Sequence, residues 1–272
     1  FASITAAQEA VRHSGNLGRQ ACTVIIHAGT YRLDKPIHFS PDDSGSRMAV
    51  VTYRAAHAEE VVVTGASLLN CSWEPWKDGI YRTKVDGTVA IDQLFVDGKR
   101  QHMARYPDFG AGYVPLPNSK GAKNRAGHPP YDGCTPDAWD AGKATQWSDP
   151  TGALMHGMHK GLWGGVHFRV IGKNPDGTLS CEGGWQNNRT GPPHISYRMI
   201  ENVFEELDAP GEWFHDQNQG WLYYKPSEDV QLASARVEAV RQIKQLVELH
   251  GGLKQPVAGC TIHGPGNGLV EQ

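Results

Sequence analysis

The chain is 272 residues long, 39% apolar and 20% charged, with a formal net charge of −3. That composition can bury a sizeable core and excludes global disorder, while the mild acidity leaves no basic field to hold a phosphate polymer. No run of about 20 consecutive apolar residues occurs, so no helical membrane span is expected, and nucleic acid is not an expected partner.

Residues 3–16, SITAAQEAVRHSGN, carry the grammar of one short amphipathic helix. Ser3 and Thr5 are candidate caps, Thr5 with Gln8 fits a capping box, Ile4, Ala7 and Val11 share a face, and Gly15 stops the run. Short β-branched runs then arrive at nearly even intervals, at 23–26, 37–39, 49–53 and 61–64, each ended by Gly, Pro, Asp or Ser. No two-residue hairpin turn separates them. That favours parallel coils stacked as a β-solenoid over a sandwich, with the helix capping the first coil.

From about Cys71 the grammar changes. Asp97-Gly98 between QLFV and KRQHMARY is a two-residue hairpin signal; 174–177 between HFRVIGK and TLSCEG is a second, and 217–220 between EWFHD and WLYYK a third. Hairpins imply an antiparallel sheet. The stretch 109–151 is rich in Gly, Pro, Asp and Asn with little apolar periodicity, which predicts a long surface excursion. Beyond Leu232 the pattern is helical by propensity, yet VEAV, QLVEL and CTIHG also fit strands, and strands are favoured because context overrides propensity. The organisation expected is 1–70 for the cap and first coils, 71–232 for an inserted antiparallel β domain, and 233–272 for resumed coils.

Five cysteines, Cys22, Cys71, Cys134, Cys181 and Cys260, lie far apart without ligand spacing. Buried free thiols are expected, and the odd count leaves one unpaired in any case. The sequence opens at Phe1 with no apolar signal region, so any targeting segment is expected to lie outside it.

The richest stretch is 182–211, which crowds aromatic, amide, guanidinium and carboxylate groups together. Gln186, Asn187, Asn188 and Arg189 supply directional donors and acceptors for hydroxyls, and the faces of Trp163 and Trp185 can cover the apolar side of a pyranose. For each tryptophan taken singly, core packing of the inserted sheet is the competing and favoured reading. His156 and His159 sit at helical spacing and pair on paper with His167 or His194 as a metal site. Without an HExxH context that signal is weak, so structural roles or hydrogen bonding to sugar are preferred, and no metal or cofactor is expected. Glu205, Glu206, Asp208 and Glu212 form the densest carboxylate group. The plainer reading makes 208–211 a turn with Pro210 and Gly211 central, and leaves Glu205 and Glu206 solvated or paired with Arg198. Arg105 and Arg189 are expected to anchor loops, and Trp213, Trp221, Tyr223 and Tyr224 to pack a hairpin.

Taken in order, GTYRL (29–33), VTYRAA (51–56), VVVTGAS (61–67), LFVDGKRQHMARYP (94–107), HGMHKGLWG (156–164), EGGWQNNR (182–189), IENVFEELDAPGEWF (200–214) and GWLYYKP (220–226) resemble the right-handed parallel β-helix enzymes of glycoside hydrolase family 141. The likeness implies an all-β, pectin-lyase-like β-helix interrupted by a β domain, acting on plant-type polysaccharide outside the cytoplasm, secreted or periplasmic, as an α-L-fucosidase or xylanase. In similar proteins the β-helix runs on for many coils, and the catalytic carboxylates lie on those later coils. No residue here inherits the catalytic role, and the sequence is expected to be part of a longer enzyme. Two rival functions remain: a non-catalytic carbohydrate-binding module, and a polysaccharide lyase, which would need clustered carboxylates for Ca²⁺.

Overall fold

The computed structural model describes residues 1–109, 141–159, 161, 163–186, 189–190 and 193–263. Nearly all regular structure within them is β, and the chain divides into two units, Phe1–Leu68 with Glu238–Gln272, and Leu69–Val237.

In the first unit the helix Ile4–Arg12 begins where Ser3 Oγ accepts from Ala6 N at 3.1 Å. The expected Thr5–Gln8 capping box does not form, because Gln8 is buried and its amide donates to His38 O at 2.8 Å and Asp43 Oδ1 at 3.0 Å. Arg12, in the last turn, donates to both oxygens of Asp43. Burial works against charge on Asp43, but the Arg12 hydrogen bonds outweigh it and hold the carboxyl below its usual range.

All four β-branched runs are strands: Cys22–Ile26, Ile37–Phe39, Val51–Ala55 and Val61–Thr64. Parallel ladders join Cys22–Ile26 to Val51–Ala55, Val51–Ala55 to Cys260–His263, Gly29–Arg32 to Val61–Thr64, and Ile37–Phe39 to Val247–Leu249. The register stacks Cys22, Val51 and Cys260 in one column and Val24, Tyr53 and Ile262 in another. Ile4, Ile37, Phe39, Val51 and Tyr53 form the core, with the Phe39 and Tyr53 rings edge to face at 5.2 Å. Helix propensity beyond Leu232 gives way to strands at Val237–Val240, Val247–Leu249 and Cys260–His263, since pairing with preformed neighbours outweighs a preference of a few tenths of a kcal/mol per residue.

The second unit is built from hairpins. Asp97 and Gly98 both take positive φ, 50° and 76°, the geometry that a two-residue turn matching strand twist requires. The turns at 174–177 and 217–220 likewise close the antiparallel pairs Gly165–Lys173 with Leu179–Gly183, and Glu212–Asp216 with Trp221–Lys225. One five-stranded sheet runs in the order His102–Met103, Glu212–Asp216, Trp221–Lys225, Tyr81–Lys84, Glu74–Pro75. A second runs Arg105–Tyr106, Pro193–Glu201, Leu154–His159, Gly165–Lys173, Leu179–Gly183, and is antiparallel throughout. Trp213, Tyr223 and Tyr224 pack the first sheet as expected, and Arg82 and Lys84 lie 4.2 and 4.0 Å from the Trp221 ring centre. Because hairpins reverse the chain, the sheets among the described residues are mostly antiparallel, and all-β is the description that holds.

Residues 110–140 of the expected surface excursion lie outside the described residues. Most of its described end is exposed, as expected, but Ala144 and Trp147 turn inward and, with Ala153 just beyond, are buried with Met155, Val170, Ile200 and Val203 against one face of the second sheet. Cys22, Cys71, Cys181 and Cys260 are free but only half-buried, and Cys134 lies outside the described residues. No helix among the described residues is long and apolar enough to cross a membrane.

Candidate functional site

Strand alternation makes the site. Met155, Phe168, Val170 and Ile200 turn toward the core of the second sheet, so their neighbours in sequence face away from it. That outer face carries a row across five strands, Arg105, Glu201, Leu154, Arg169 and Glu182, each opposite the next and all but Leu154 charged. Beside it run Met199, His156 and His167.

His156 is the centre of a hydrogen-bonded chain. Its Nε2 lies 2.9 Å from Glu201 Oε1 and its Nδ1 lies 2.8 Å from His167 Nδ1. A carboxylate only accepts, so His156 Nε2 donates to Glu201; with both rings neutral, the bare Nδ1 of His156 accepts from His167, and the Nε2 lone pair of His167 is left for solvent or ligand. Burial, reinforced by the charge that His156 can carry, lowers the His167 pKa. Gly165 is the neighbour of His167 Nε2: a Cβ there would stand 3.5 Å from that nitrogen, in ordinary contact. At the far end Arg105 faces Glu201, and its Nε donates to Pro107 O at 2.9 Å, the loop-anchoring contact that sequence suggests.

The helical spacing read for His156 and His159 is corrected: both belong to the strand Leu154–His159, and a register shift between Gly157 and His159 carries His159 to the turn. There its Nδ1 accepts from Gly161 N at 2.9 Å, and Trp163 stacks on the ring at 5.0 Å and 28°. Trp163 is 74% exposed and Trp185 68%, so neither packs the core. Gly184 N donates to His167 O at 2.7 Å, which fastens the chain just ahead of Trp185 to the His167 strand. Gln186 and Arg189 lie on the small ladder Trp185–Gln186 with Arg189–Thr190, and Asn187 and Asn188 lie outside the described residues. His194 is buried, with its ring 4.7 Å from that of Tyr197. Among the described residues no three His, Cys, Asp or Glu side chains are placed to hold a metal ion.

The carboxylate group divides: Glu205 and Asp208 are exposed, as expected for Glu205, whereas Glu206 and Glu212 are buried. Glu205 accepts from the backbone and hydroxyl of Ser148, and Glu206 lies in the core with Trp147 and Lys143, so neither needs Arg198. Pro210 and Gly211 do occupy a turn, closed by Glu212 N donating to Ala209 O with Gly211 at φ 86°. Glu212 itself is 1% exposed; burial pushes its carboxyl up to about 8, although Asp208 N and Ala209 N both donate to Oε2. Glu201 is the residue that sequence reasoning missed. Its only signal is strand parity, which places it on the side of His156 once the register is known.

No protein-family model and no curated protein matches the chain. Among solved structures the fold is similar to one described as "Glycoside hydrolase", with a TM-score of 0.64 and 22% identity over 96% of this chain and 46% of that one. A second, "The complex structure of XylC with xylose", aligns with a TM-score of 0.40 and 13% identity, over 96% of this chain and 31% of that one. The fold is similar to that of the first structure, and the chain spans less than half the length of either.

Proposed function

We propose that this chain is the N-terminal portion of a secreted or periplasmic glycoside hydrolase acting on plant-type polysaccharide, α-L-fucosidase-like or xylanase-like. In this reading the parallel ladders of the first unit are the opening coils of a right-handed parallel β-helix, the second unit is its inserted domain, and the catalytic carboxylates lie outside this sequence.

The observation that carries the reading is the second sheet, its outer face together with the turn that joins Leu154–His159 to Gly165–Lys173. An open indole at Trp163 backed by His159, with Arg105, Glu201, His156 and His167 on the same sheet, combines an apolar platform with directional polar groups. A pyranose asks for that pairing, since one of its sides is C–H and its rim is hydroxyl. Likeness to a structure described as a glycoside hydrolase adds support.

One observation favours a binding module as the second reading. Glu206 and Glu212 are buried, and the oxygens of Glu206 are taken by Trp147 and Lys143, so neither is open to a glycosidic oxygen. Incubation of the full-length protein and of this span with plant glycans separates the cases. Reducing-sugar release by the former with binding alone by the latter supports the proposal, binding without release by both supports the module, and an unsaturated ultraviolet-absorbing product identifies a lyase. Failure of either protein to bind any glycan overturns it.

A further inference from the structure

We infer that the Glu201–His156–His167 chain is a proton-operated selector, which turns this face into a site for carboxylate-bearing sugars in acid. The inference rests on the carbohydrate reading above and adds to it a ligand class and a trigger.

The argument is one of hydrogen-bond chemistry. Two imidazoles joined through Nδ1 atoms 2.8 Å apart share a single proton between them. One further proton is tolerated, because a His156 imidazolium, held by Glu201 through Nε2, still donates its Nδ1 hydrogen to a neutral His167. When both rings are charged, both Nδ1 atoms carry hydrogen and the bond between them cannot exist. Glu201 then holds His156 through Nε2 at 2.9 Å, and His167 is released as a free cation above Gly165.

The charges facing the pair come from every neighbouring strand. Arg105 stands on the strand Arg105–Tyr106 and Glu201 on Pro193–Glu201, while Arg169 lies on the same strand as His167 and Glu182 on Leu179–Gly183. His102, lying beyond Arg105, has its pKa lowered by burial and by that arginine. With neutral imidazoles the two arginines balance the two glutamates. In acid the face gains two positive charges on a sheet whose connecting turn carries an exposed indole, and a uronate ring supplies the complement, a carboxylate on a pyranose.

The test has two arms on the full chain. In the first, the ring signals of His156 and His167 are followed by NMR against pH. The pair is expected to titrate in two separate steps, with the lower assigned to His167 and lost as a distinct coupled step in His156→Asn. A single step for both rings at about pH 6.5, the ordinary histidine value, overturns the inference whatever the glycan results. In the second arm, calorimetry compares oligogalacturonate with a neutral xylo-oligosaccharide of equal length at about pH 5 and about pH 8. Two partly exposed ion pairs predict roughly tenfold tighter binding of the uronate at the lower pH, a gain absent in His167→Asn. An equal gain for the neutral glycan, or none for the uronate, sinks the selector while leaving the carbohydrate reading intact. Absence of binding by both glycans at both values sinks the two together.

Discussion

Trp147 and Glu206 meet in the interior of the second unit, where the indole Nε1 donates to Glu206 Oε1 and both side chains are buried. Lys143 Nζ lies 2.9 Å from the other oxygen, so a buried carboxylate is satisfied on both sides. Removal of one partner from such a set leaves the others unpaired in a poor solvent for charge. Glu206→Ala is therefore expected to destabilise the unit by about 3 kcal/mol. Urea denaturation checks this, and a loss under about 1 kcal/mol contradicts the assigned network.

Glu212 ties stability to pH. Its folded carboxyl sits at about 8 because burial disfavours the charge, against roughly 4.3 in the unfolded chain. Between those values the folded state binds the extra proton, so stability is full below the lower one and is lost as pH rises through the higher. The loss is at most about 1.4 kcal/mol per pH unit. Melting temperature should fall from about pH 5 to about pH 8 in the parent and fall less in Glu212→Gln; parallel curves would falsify the assignment.

Trp163 is expected to contribute to binding and not to folding, because its ring is mostly in water and, among the described residues, its ring partner is His159. Trp163→Ala is expected to leave the unfolding free energy within about 0.5 kcal/mol of the parent. Glycan affinity should drop about fivefold, the equivalent of one lost stacking contact. If instead stability falls and affinity holds, the indole is structural.

Gly183 keeps the His167 strand in place. Its φ of 111° lies where side chains strain the backbone, and an added Cβ would stand 2.5 Å from His167 O. Gly183→Ala should cost about 2 kcal/mol in chemical denaturation and shift the His167 ring signals, whereas Gly172→Ala, with open space around it, should do neither.

Much of the fold is legible in the residues. The three hairpin turns, the β-branched runs at 37–39 and 61–64, and the Pro210-Gly211 turn all follow from local chemistry, since φ > 0 and strand propensity are properties of a residue and its neighbours. Gln8, Trp147 and Glu206 escape that reasoning, because their polar groups are answered by residues about 30 to 60 positions away.

Sequence by itself determined which residue types are available to meet a sugar, His156, His159, Trp163 and Trp185 among them, because composition and spacing need no partner to be read. Only the tertiary structure decided that His156 joins Glu201 and His167, that His159 joins Trp163, and that the indoles face water. The reason is register: in a sheet, one residue of slip between strands moves every side chain to the opposite face, and register is fixed by contacts between segments far apart in the chain.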